Sequence, residues 1–155
     1  MITRRTALWT GASALLVAGC GGRPARTLAG DPKDLRILAA ALEVEHEQIA
    51  FYEAGADLSD DATVTTILAH ERAHAAAIRE AIEELGGTPA GGRAAAAFDA
   101  ARGFGAWRQE AIQREEQWSA GYAALIPKLV NQQLRATFGA LATTEAEHAV
   151  ALDLP

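Results

Sequence analysis

Six residues carry the chemistry this sequence is equipped for: Glu45, Glu71, His74, Glu115, Glu145 and His148. Two pairs among them share one spacing, Glu71-Arg72-Ala73-His74 and Glu145-Ala146-Glu147-His148. Residues three apart on a helix point the same way, so each Glu-x-x-His can grip one metal ion. In a chain with thirteen glutamates a single copy would be weak. Two copies on separate helices, at matching positions, are much stronger. A third copy, Glu43-Val44-Glu45-His46, puts Glu43 off the apolar stripe and reads as accidental.

Four helices must position these groups. Asp31 is a capping residue and Pro32 fits a first turn, so the first helix starts there and runs to about Ala56. Its inward stripe is Leu35, Leu38, Leu42, Glu45, Ile49 and Tyr52. Ser59-Asp60-Asp61 starts the second and Gly86-Gly87 ends it, with Val64, Ile67, Glu71, His74, Ile78 and Leu85 inward. Residues 87–104 hold Gly, Pro and many alanines and form a long connection. The third runs from about Gly105 to Leu125, with Ala111, Glu115, Trp118, Tyr122 and Leu125 inward, and Pro127 breaks it. Asn131 caps the fourth, whose stripe is Leu134, Phe138, Leu141, Glu145, His148 and Leu152. Spacings of three and four are the seam of a packed helix. Short first and last links make two antiparallel hairpins. The middle link is long enough to cross a bundle about 30 Å tall. The expected fold is all-α: an antiparallel four-helix bundle with one long crossover.

All six ionisable residues therefore fall where the seam calls for apolar side chains. Burying a lone carboxylate costs several kcal/mol, and four on one seam repel one another. No Lys or Arg lies on the stripes to balance them. Two divalent cations offset four carboxylates, and two neutral imidazoles complete the ligation. Counting rise from the helix ends brings Glu45 level with Glu71, and Glu115 within one turn of Glu145. His70 and His46 sit beside the seam and are expected to be partly exposed, and Glu80, Glu83, Glu84 and Glu147 to form a solvated surface.

One Glu from each of two helices, with Glu-x-x-His from each of the other two, resembles the ferritin-like di-iron or di-manganese carboxylate proteins. The segments from Leu42 to Tyr52 and from Ala69 to Ala75 are similar to small bacterial ferritin-like domains. The resemblance implies that Glu71 and Glu145 bridge two metals, that Glu45 and Glu115 are terminal ligands, and that His74 and His148 each bind one ion. Tyr52 follows Glu45 by seven residues, as Tyr122 follows Glu115. In the family a tyrosine there commonly supports a metal-binding glutamate. Tyr52, Tyr122 and Trp118 are thus candidates for supporting or redox roles, beside their packing.

The start of the chain reads as an address. Arg4-Arg5, an apolar run from Ala7 to Ala18 and Gly19-Cys20 make a secretory signal too short to span a bilayer permanently. Val17-Ala18-Gly19-Cys20 resembles a lipobox, with lipid carried on Cys20, and Thr3-Arg4-Arg5 resembles a twin-arginine signal. The expected division is a signal peptide over 1–19, a lipidated tether over 20–30 and the bundle over 31–155. Loss of residues 1–19 leaves twelve basic against twenty acidic residues, a formal charge of −8, which disfavours nucleic acid as a partner.

Two iron ions, or manganese in their place, are the expected cofactors. The leading function is oxidation of Fe(II), or reduction of oxygen or peroxide, at the cell envelope. A non-catalytic metal-binding or structural lipoprotein and a manganese catalase-like enzyme are the alternatives. Metal ions, oxygen or peroxide, the membrane through lipid on Cys20, and a second copy in a homodimer are the partners this allows. A rubrerythrin-type electron supply needs four cysteines, and Cys20 is the only one. A storage cage is not expected either, because the sequence stops at Pro155, just past the fourth helix.

Overall fold

The structure, a computed structural model, describes residues 30–92 and 98–154. The expected signal peptide, Cys20 and the expected tether as far as residue 29 lie outside them. Four helices follow in order: α1 (Pro32–Leu58), α2 (Ala62–Glu84), α3 (Gly103–Leu125) and α4 (Gln132–Asp153).

Each start has a local cause. The side chains of Asp31, Asp61 and Asn131 accept hydrogen bonds from Lys33, Thr63 and Gln133 backbone N–H groups, each at 2.8 Å. These bonds satisfy donors that a helix N-terminus leaves free. α2 ends in a Schellman turn: Gly87 N–H reaches Ile82 O at 2.8 Å and Gly86 N–H reaches Glu83 O at 2.9 Å. Gly86 takes φ 77°, which a side chain would resist. α3 begins two residues before the expected Gly105, because Asp99 caps a 3-10 turn over Ala100–Arg102 that feeds into it. Past α3, Ile126–Lys128 adds one 3-10 turn, and the chain then extends at Leu129.

α1 packs chiefly on α2, and α3 on α4; lesser contacts of α1 with α3 and α2 with α4 close the ring. α1 and α3 are antiparallel. Asp34 near the start of α1 accepts from Val130 and Asn131 N–H, both at 2.8 Å, just past the end of α3. At the other end the Trp107 indole donates to Phe51 O at 3.0 Å. It fits because residue 55 is glycine; any Cβ there would collide with the indole. The described parts of the crossover climb along α1: Gly87 lies against Leu35, Gly92 against His46 and Phe98 against Phe51. This is the long connection expected from residues 87–104.

Two apolar clusters fill the interior. One gathers Leu38, Leu42, Ile78, Leu134 and Phe138 at the end where α1 begins. The other gathers Phe51, Val64, Ile67, Trp107 and Leu152 at the opposite end. Each such side chain contributes about 1.5–3 kcal/mol by leaving water. The polar layer lies between them. Among the described residues no helix is long and apolar enough to cross a membrane.

Candidate metal centre

One side chain from α1, one from α3, two from α2 and two from α4 meet in that layer. Glu45, Glu71, Glu115 and Glu145 are wholly buried and His148 nearly so. The His74 side chain keeps 13% of its surface exposed. His74 Nδ1 lies 3.3 Å from Glu145, 3.5 Å from Glu71 and 3.9 Å from Glu45. His148 Nδ1 lies 3.1 Å from Glu71, 3.2 Å from Glu145 and 3.5 Å from Glu115. The potential ligand atoms form two groups: Glu45, Glu71, His74 and Glu145, and Glu71, Glu115, Glu145 and His148. Within each, the atoms lie inside 4.8 Å of one another, a cluster that could hold a metal ion. Glu71 and Glu145 belong to both.

The ferritin-like domain family matches residues 33–154. This chain belongs to that family. A solved structure of a conserved hypothetical protein from Mycobacterium tuberculosis shares the fold with a TM-score of 0.69 and 19% identity, covering 78% of this chain and 88% of that one. At that identity the likeness is one of fold alone. No curated protein matches.

The donor set of the ferritin-like layer suits metal on chemical grounds. Glu45 Oε2, both oxygens of Glu71, Glu115 Oε2, Glu145 Oε1 and His74 Nδ1 are buried and make no hydrogen bond of good geometry, although imidazoles and carboxylates stand at ion-pair distance. Buried polar atoms normally have one. Here the atoms without one are turned toward each other in a single layer, as cation ligands would be. Carboxylate and imidazole together suit iron and manganese.

The tyrosines cross over. Tyr52 donates to Glu115 and Tyr122 donates to Glu45. Each therefore supports the glutamate of the opposite helix rather than the one seven residues earlier on its own. Burial first, and then the charge of the partner glutamate, raise both phenols above their ordinary range, so they stay protonated donors. Trp118, half-buried, makes no bond into the layer; it packs edge-on to Phe51 and lines a groove of about 370 Å³ between α1 and α3.

Without metal, protons carry the charge balance. Burial, then the charge of Glu71, pushes Glu45 up to about 9. Burial pushes Glu115 up to about 8. For the histidines burial opposes the charge, but the surrounding carboxylates outweigh it, lifting His74 to about 10 and His148 to about 11. Burial likewise works against the Glu145 charge, yet His148 and His74 hold it at about 2. The sequence shows no Lys or Arg on the seam, but paired imidazolium and protonated carboxyl groups can neutralise the layer. The sequence reading expects neutral imidazoles; in the layer without metal the carboxylates instead favour the protonated rings.

Two neighbours of the layer were not legible as part of it. His70 is exposed, as its position beside the seam suggests, yet its Nδ1 lies 3.0 Å from Nε2 of His148. Gln48 is wholly buried with neither amide atom partnered. It follows Glu45 by three residues, the offset that separates Glu71 from His74 and Glu145 from His148, and that repeat is the signal that could have found it. His46 lies under Gly92, outside both ligand groups.

Proposed function

We propose that this protein holds a dinuclear metal centre, of iron, and that it oxidises Fe(II) or reduces oxygen or peroxide at the cell envelope. The carrying observation is that the two ligand groups share Glu71 and Glu145. In this reading Glu71 and Glu145 would help hold both ions, Glu45 and His74 would complete one site, and Glu115 and His148 would complete the other. When bound, the ions supply a redox couple and open positions for a small oxidant.

The chain's own residues position, insulate and exchange protons. Tyr122 and Tyr52 fix Glu45 and Glu115 through hydrogen bonds. The apolar clusters at the two ends exclude water from the layer and strengthen its electrostatics. Glu45, Glu115 and both histidines release protons as metal arrives, so loading is proton-coupled. A groove of about 400 Å³ between α2 and α4, lined by Thr66, His70, Thr144, Glu147 and His148, lets small molecules approach from solvent.

Iron is named from the resemblance to di-iron carboxylate proteins; the donors accept manganese equally. The deciding experiment loads metal-free protein with Fe(II) anaerobically and mixes it with oxygen or peroxide in a stopped-flow instrument. Rapid Fe(III) absorbance with consumption of the oxidant is expected. Binding without consumption supports the non-catalytic module. Peroxide breakdown with Mn(II) and not Fe(II) supports the catalase-like reading. Envelope attachment rests on the lipobox sequence at Cys20. Cys20→Ser should move the protein out of the membrane fraction, and continued attachment would contradict the anchor.

A further inference from the structure

The two halves of the layer are built unequally. His148 faces the carboxylates through Nδ1 and turns Nε2 to Nδ1 of His70. The His70 and His148 ring planes differ by 19°, and their centroids are 5.2 Å apart. That separation is the 3.0 Å between the nitrogens plus about one ring radius on each side. The rings are therefore nearly coplanar and meet edge to edge, as an N–H···N bond requires.

His74 also faces the carboxylates through Nδ1, but among the described residues no side chain or backbone group bonds its Nε2. Its side chain is also the more exposed, 13% against 5% for His148.

We propose that His70 is a positioning residue of the centre: it locks His148 with Nδ1 inward, so that the Glu115–His148 site binds its ion more tightly than the Glu45–His74 site and metal loads in two unequal steps. The inference rests on the dinuclear reading above.

The tautomers follow from the bond. For Nδ1 of His148 to offer its lone pair inward, the proton must sit on Nε2, which then donates to His70 Nδ1. His70 accepts that bond through Nδ1 and so carries its ring proton on Nε2. A partner of this kind fixes ring orientation and raises ligand basicity. His74 is held by the carboxylates through Nδ1 alone, with no such partner at Nε2 among the described residues.

The test is an anaerobic Mn(II) titration of the metal-free protein, followed by the electron paramagnetic resonance of free Mn(II). The wild type should bind in two resolved steps. His70→Ala should weaken the tight step by about 10–100-fold and leave the weak step in place. His70→Gln, which keeps an acceptor for Nε2–H, should recover part of the loss. Because His70 is exposed, the melting temperature of metal-free His70→Ala should match the wild type. A His70→Ala titration that overlays a two-ion wild-type curve overturns the role of His70 alone. A wild type that binds no Mn(II), Fe(II) or Co(II) overturns the dinuclear reading and this inference with it.

Discussion

The Tyr52 hydroxyl donates to Glu115, on the opposite side of the α1/α3 interface, and not to Glu45 on its own helix. Tyr122 returns the bond to Glu45. The pair of bonds ties α1 to α3 at the level of the carboxylates, where the two helices otherwise touch only lightly.

The crossed pairing predicts selective coupling. Tyr52→Phe should cost about 1–2 kcal/mol of stability. Combined with Glu115→Gln, its effect should shrink, giving a coupling energy above about 0.5 kcal/mol. Combined with Glu45→Gln, it should be nearly additive. Denaturant melts of the two cycles decide the matter, and coupling to Glu45 in place of Glu115 would contradict the geometry.

Gln48 gives a prediction of unusual sign. Its amide is buried with no partner, and such a group costs about 1–3 kcal/mol. Gln48→Leu, similar in volume, should leave the metal-free protein as stable or more stable. A loss above about 1 kcal/mol in urea would show that the amide does have a partner.

The layer should make metal-free protein lose stability as pH rises. Glu45 and Glu115 titrate at about 9 and about 8 in the fold, against an ordinary 4.5. His74 and His148 titrate at about 10 and about 11, against 6.5. All four bind protons more tightly folded than unfolded. Their stabilisation is full below the ordinary values and is lost as pH climbs through the folded ones. Glu145, held at about 2, has the opposite sign and loses its contribution as pH falls below 4.5. Melting temperatures in chelator should therefore decline from about pH 5 to about pH 11. The stabilisation by added metal should instead grow between pH 6 and pH 8, because the competing protons leave. A metal-free protein that melts higher at pH 9.5 than at pH 5.5 would contradict this charge assignment.

The bundle was legible because its helices carry one dominant apolar face. Every residue of the predicted α4 stripe, Leu134 to Leu152, is buried. The six polar residues were legible as breaks in that pattern. What was hidden depends on one helix meeting another. Trp107 stands in a glycine-rich helix start and is buried only because Gly55 makes room across the interface. Asp34 is buried because its carboxylate meets the two N–H groups before α4. His70 lies four residues before His74, so its face of α2 could be read, but its reach to His148 depends on the register of α2 against α4. The tyrosine crossing likewise depends on α3 running against α1.

In the proposed centre Glu71 and Glu145 each serve both halves. The most direct measurement is metal content and melting temperature after anaerobic loading with Fe(II) at neutral pH. Two ions per chain and a higher melting temperature are expected for the loaded protein, by mass action on the folded state. Glu71→Ala or Glu145→Ala should abolish most of both effects, while Glu147→Ala, on the exposed face of α4, should change neither. Identical melting curves with and without metal, or full two-ion binding in Glu71→Ala, would contradict it.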